Sequence, residues 1–172
     1  IILVVVVGAA LAFTAISLKD RQQANADADK MRQILASVNI RPTADSIIAD
    51  YEKFVIESYV VNADGTRDNS IDAFDVNVAQ EIKKPDDKRL LPVFVCRLAD
   101  GNTKYIIPLY GAGLWGPIWG YISLDSDAST LYGAYFAHQG ETPGLGAEIE
   151  KPAFSGQFKG KRLVKDGAFM PV

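Results

Sequence analysis

Residues 138–148 read His-Gln-Gly-Glu-Thr-Pro-Gly-Leu-Gly-Ala-Glu and contain the one histidine of the chain. Gly140, Gly144 and Gly146 fall within seven residues, with Pro143 among them. Glycine and proline this dense exclude a regular helix or a central strand. The backbone here turns tightly or approaches something closely. Glu141 and Thr142 bring a carboxylate and a hydroxyl, and Leu145, flanked by glycines, brings an apolar side chain fit to lie on a flat surface. A plain Pro-Gly turn between a strand and a helix carries the same signature. His138 reads as a residue that holds this loop through a backbone hydrogen bond rather than as a proton carrier.

A second stretch, residues 110–121, combines Gly111, Gly113, Gly116 and Gly120 with Pro117 and both tryptophans, Trp115 and Trp119. Glycines let backbone amides reach a ligand edge, and tryptophans offer flat apolar walls. The same residues also suit a wide turn whose tryptophans plug a core.

Other chemistries fit poorly. No serine stands in a nucleophile-elbow context, so no Ser-His-Asp arrangement and no catalytic residue is assigned. One histidine and one cysteine cannot form a zinc site of the usual kind, and no metal site is expected. Cys96 lies in the apolar run 91–98 and reads as a buried structural thiol. The net charge of −3 and the dispersed basic residues argue against a nucleic-acid partner. Lys159, Lys161 and Arg162 are the one tight basic group.

The elements that must position these loops follow from patterning. Residues 1–18 are apolar and uncharged, and a helix of that length spans about 27 Å, close to one hydrocarbon core. The stretch runs directly into Lys19, Asp20 and Arg21, which favours a retained transmembrane helix over a cleaved signal. Ala24, Ala28, Met31, Leu35 and Val38 recur at helical spacing, so a juxtamembrane helix is expected over 19–42, closed by Arg41-Pro42. It serves as a stalk or packs on the domain; patterning leaves both open. Thr43 or Asp45 is expected to cap a short helix through Ala49. Residues 53–62 read as a strand, and 90–98 with 103–110 as a hairpin about Asp100-Gly101. Residues 111–120 read as a loop, 121–125 and 131–137 as strands, and residues from Glu148 as helical until Pro152, with Phe154 and Phe158 packing inward. Few helices and mostly hairpin-connected strands indicate an α+β domain over 43–172, mostly antiparallel, behind an N-terminal membrane helix.

Glu141-Thr142-Pro143-Gly144-Leu145-Gly146, preceded by His138, resembles the signature loop of the C subunit of sodium-translocating NADH:quinone oxidoreductases. The G subunit of Rnf electron-transport complexes carries a similar loop. Residues 110–121 also resemble that family, and with the apolar start the likeness covers most of the chain. The resemblance implies an FMN-binding domain and a membrane-anchored electron carrier that is not by itself a complete catalyst. It further implies a complex coupling NADH oxidation and ubiquinone reduction to sodium export. Partners would be the other membrane subunits and the lipid bilayer. The location would be the cell inner (plasma) membrane, single-pass, with the domain on the extracytoplasmic side. An Rnf-type subunit and a cofactor-free, membrane-tethered interaction domain are the alternatives.

A flavin ring is flat and apolar on both faces, with hydrogen-bonding groups along its pyrimidine edge. The expected FMN-binding residues are Leu114, Trp115 and Leu145 for the faces and Glu141 and Thr142 for the edge. Amides near Gly116, Gly144 and Gly146 complete the set. The resemblance also implies covalent attachment of the FMN phosphate to a threonine in a Ser-Gly-Ala-Thr type motif. Ser155-Gly156-Gln157 is not that motif, and no other threonine has such neighbours. The expectation is that a C-terminal portion carrying the motif is missing from the sequence.

Overall fold

The computed structural model describes residues 2–165 and 167–170; Ile1, Asp166, Pro171 and Val172, all inside the expected elements above, lie outside the described residues. One uninterrupted helix, α1 (Ile2–Ser37), joins the apolar stretch to the amphipathic one. It is long and apolar enough to cross a membrane. From Leu3 to Ala26 every residue of α1 is exposed. Beyond that the helix changes role. Ile34 and Leu35 are fully buried and Val38 nearly so, in the hydrophobic core of the domain. The second half of α1 is therefore a wall of the core and not a free stalk. Of the expected stripe, Leu35 and Val38 reach the core, whereas Ala24 stays in solvent.

The helix closes sooner than Arg41-Pro42. Asn39 adopts φ 63°, and the Ile40 amide turns back to Leu35 O at 3.0 Å. An asparagine in the left-handed region is a standard stop, and it acts before the proline is reached.

The second helix, α2 (Ile47–Phe54), begins after Ser46 and runs five residues past Ala49. Neither Thr43 nor Asp45 caps it; Ser46 Oγ instead donates to Asp50 Oδ2 at 2.8 Å. Six strands follow: β1 (Val55–Val61), β2 (Arg67–Asp68), β3 (Leu91–Arg97), β4 (Thr103–Ala112), β5 (Pro117–Leu124) and β6 (Leu131–His138). They form one sheet in the order β2-β1-β3-β4-β5-β6, antiparallel at every pairing. A single turn, α3 (Val78–Glu81), capped by the Asn77 side chain, precedes β3. After β6 come a 3-10 turn (Gly146–Glu150), α4 (Pro152–Ser155) and a small hairpin of β7 (Val164–Lys165) and β8 (Ala168–Phe169). Pro152 thus starts a helix instead of ending one; at the first helical position its missing N–H costs nothing. The α+β, mostly antiparallel expectation stands.

Two small residues fasten α1 to the sheet. Ser123 Oγ on β5 donates to Ser37 O at 2.6 Å. Gly133 on β6 faces the same carbonyl so closely that a Cβ there would lie 2.4 Å from it. Cys96 sits in the same core with no exposed surface. Burial pushes its thiol up to about 11, against a smaller opposing pull from Lys104. The native protein is therefore expected to resist thiol-modifying reagents at neutral pH and to react once unfolded. Rapid labelling of the folded chain would contradict this placement.

Candidate functional site

The two glycine-rich stretches lie side by side at one end of the sheet. Strand β5 pairs with β4 from Ala112–Pro117 onward and with β6 up to Ile118–His138. The β4–β5 loop, residues 113–116, and the segment leaving β6, residues 139–146, therefore emerge next to each other.

A carboxylate joins them. The Trp115 amide donates to Glu141 Oε1 at 3.0 Å. Glycine is required around this carboxylate: a Cβ on Gly113 would fall 2.2 Å from Oε1, and one on Gly146 would fall 2.5 Å from Oε2. Glu141 is thus clamped between the two loops, its Oε1 engaged by the opposite backbone. Gly116 packs against Gln139, whose Cβ would be 3.3 Å from an added methyl.

His138 fixes the start of the second loop, as its position in the sequence implied. The Glu141 amide donates to His138 Nδ1 at 3.1 Å, and His138 Nε2 lies 3.6 Å from Glu150 Oε1. With Nδ1 accepting, the ring proton belongs on Nε2, facing the carboxylate. The far end of this segment is pinned by three rings. Phe154 and Phe158 meet Phe136 of β6 at 5.5 and 5.2 Å between centroids.

Three large apolar side chains project from this frame into solvent. Leu114 is 81%, Trp115 69% and Leu145 74% exposed. Apolar groups this exposed and this close together mark a surface that takes a ligand or partner. Thr142 is exposed, and its carbonyl accepts the amides of Leu145 and Ala147, both at 3.1 Å. Gly144 has φ 77°, a conformation that favours glycine, and forms the bend that presents Leu145. Among the described residues the amides of Leu114 and Gly116 find no acceptor.

Trp119 does not join this surface. It lies inside β5, not in a loop, and its Nε1 donates to Gln33 Oε1 of α1 at 3.1 Å. One tryptophan is thus the outward wall and the other part of the seam between α1 and the sheet. Near Trp119 a cavity of about 500 Å³ opens between α1 and the sheet, lined among others by Gln23, Lys30, Phe74, Tyr110 and Tyr121. Lys30 donates to Phe74 O there, and burial lowers its pKa despite nearby aspartates. This cavity is separate from the loop surface. Glu150 and Gln139 support the site, and Gln33 the seam between α1 and the sheet, without having stood out in the sequence. Each is an ordinary polar residue whose partner lies on another element.

Comparison with known proteins bears on what this surface takes. A family model described as an FMN-binding domain matches residues 113–169, which begin at the first loop and include the second. The C subunit of the Na(+)-translocating NADH-quinone reductase of Vibrio vulnificus is 31% identical over 87% of this chain and 64% of its own length. The chain thus spans just under two thirds of that relative. The corresponding subunit of Yersinia pestis is 30% identical over 96% of this chain and 70% of the relative. Among solved structures, the same subunit from Parabacteroides distasonis superposes with a TM-score of 0.82 at 47% identity, covering 89% of this chain and 74% of that one. Shewanella oneidensis NqrC, at 24% identity and a TM-score of 0.70 over 83% of this chain and 73% of that one, shares the fold. With its exposed apolar helix, its antiparallel sheet and its paired loops, this chain belongs to the C-subunit family of the Na(+)-translocating NADH-quinone reductase.

Proposed function

We propose that the chain is a membrane-anchored, FMN-carrying electron-transfer subunit of a sodium-pumping NADH:quinone oxidoreductase. One observation carries the flavin assignment: Glu141 holds two loops together beneath three exposed apolar side chains, Leu114, Trp115 and Leu145. That arrangement fits a planar ring. Apolar side chains cover its faces, while the Leu114 and Gly116 amides and the Thr142 hydroxyl meet its polar edge. Gly116, Gly144 and Gly146 keep the backbone low enough for close approach. Bound FMN supplies one- and two-electron transfer, so the protein groups bind and orient without moving a proton.

Glu141 acts as the latch, His138 sets the loop that carries it, and Trp115 and Leu145 are the walls. The residues described fit the ring. The phosphothreonine link that the resemblance implies needs a Ser-Gly-Ala-Thr type motif, which the 172-residue sequence does not contain. Residues 2–18 of α1 serve as the anchor, with the domain on the extracytoplasmic side and the remaining subunits of the complex as its partners.

The test is FMN titration of the full chain in detergent, followed by flavin fluorescence. Thr142→Ala and Leu145→Ser are expected to weaken binding while leaving the melting temperature unchanged, because both side chains are exposed. If neither change affects affinity, or no FMN binds, the loops are plain turns and the flavin assignment falls.

A further inference from the structure

The direction of α1 relative to the sheet says where the loop surface faces. Gln33 of α1 is level with Trp119 of β5, and four residues later in both elements Ser37 is level with Ser123. Helix and strand therefore run the same way. Going backward along α1 leads to the apolar stretch; going backward along β5 leads to residues 113–116. The loop surface thus projects from the end of the domain that faces the anchor.

The distances nearly match. From Gln33 back to Leu18 is fifteen helical residues, about 22 Å. From Trp119 back to Pro117, where β5 begins, is two extended residues, and Trp115 lies two loop residues farther, at most about 13 Å in all. The loop tip then stops about 9 Å short of the hydrocarbon edge, little more than the thickness of one headgroup layer.

The composition of this end suits that location. The start of β3 lies here too, since Leu91 pairs with Val61 and β3 runs antiparallel to β4. Ile82 and Leu91 are exposed apolar residues beside it. In the segment between them Lys84 pairs with Glu81 and Arg89 with Asp86, while Lys83 and Lys88 carry no ion pair among the described residues. Tryptophan favours the bilayer interface, and lysine suits lipid phosphate.

We infer that in the flavin-free chain Leu114, Trp115 and Leu145, the side chains assigned above to the flavin faces, contact the headgroup region of the bilayer that holds α1, so that the domain lies loop-side down on the lipid. The inference rests on α1 being an anchor, as proposed above, and does not require bound flavin.

The chain has two tryptophans, which makes the test direct. The flavin-free full chain is reconstituted in phosphatidylcholine vesicles, either plain or brominated at the upper acyl carbons. Bromine quenches nearby indoles. The wild type is expected to lose about half its emission in brominated vesicles, one of its two tryptophans lying at the interface. Trp115→Phe, left with Trp119 against α1, is expected to lose little. Trp119→Phe reads Trp115 alone; should it not fold, the difference between wild type and Trp115→Phe gives the same quantity. Equal emission in the two vesicle types, from a chain that floats with the vesicles, would overturn the lipid contact and leave the surface to a protein partner. A chain that does not float would overturn both the anchor and the contact. Flavin binding, measured separately in detergent, is unaffected by either result.

Discussion

Glu141→Ala is expected to weaken FMN binding by roughly 10- to 100-fold, the cost of a charge-assisted hydrogen bond worth about 2 kcal/mol. The carboxylate accepts the Trp115 amide across the gap between the loops, and nothing else in the second loop reaches that amide. Without it the Trp115 and Leu145 walls are no longer held at a fixed spacing. Glu141→Gln keeps an oxygen acceptor but loses the charge, so its loss should be smaller. Gly146→Ala should resemble Glu141→Ala, because its Cβ would displace Oε2 from 2.5 Å away. The two changes act on one contact. Combined, they should cost clearly less than the sum of the single effects. Gly140→Ala is the control: it lies in the same segment with nothing within 4 Å of its Cβ, and should bind normally. Additive losses from Glu141→Ala and Gly146→Ala would mean that Glu141 is not the clamp.

The second large effect concerns stability. Gly133→Ala would place a methyl group 2.4 Å from Ser37 O, a backbone atom that cannot rotate away. That carbonyl also accepts the Ser123 hydroxyl in a fully buried position. Overpacking costs about 1–3 kcal/mol and a disrupted buried hydrogen bond a similar amount. A loss of about 3 kcal/mol is expected, which for a domain of this size lowers Tm by roughly 10 °C. Thermal unfolding followed by circular dichroism measures it. Ser123→Ala should cost less, since it leaves the seam closed with one acceptor unpaired. A Gly133→Ala protein melting with the wild type would show that α1 is not seated where the contacts place it.

Much of the fold follows from pattern alone. The hairpin of β3 and β4 and the strand leading into His138 are short apolar runs rich in β formers and ended by turn residues, and the break at residues 139–146 shows in its glycines and proline. The errors have physical causes. The glycine-rich 111–120 stretch reads as one loop, yet Gly111 pairs with Ile118 and Gly120 pairs with Leu109 in a continuous ladder. Gly120 is there because Tyr135 O passes 2.2 Å from where its Cβ would be. That is close approach between strands rather than a turn, and a lone sequence does not separate the two. The site divides the same way. The exposed apolar residues between glycines were legible from composition. Glu141 as a cross-loop latch was not, because its partner is 26 residues away and is a backbone amide.

Tether and core wall are one rod, which decides how the domain can be cut free. A protease cutting among residues 19–26 meets exposed helix and releases a soluble body that keeps Ile34, Leu35 and Val38 in place. A cut past Val38 parts those three side chains from the sheet, and the remainder loses one side of its interior. A free domain that starts among residues 19–26 therefore keeps its core wall, with up to about two turns of bare helix left dangling as the scar of the lost anchor.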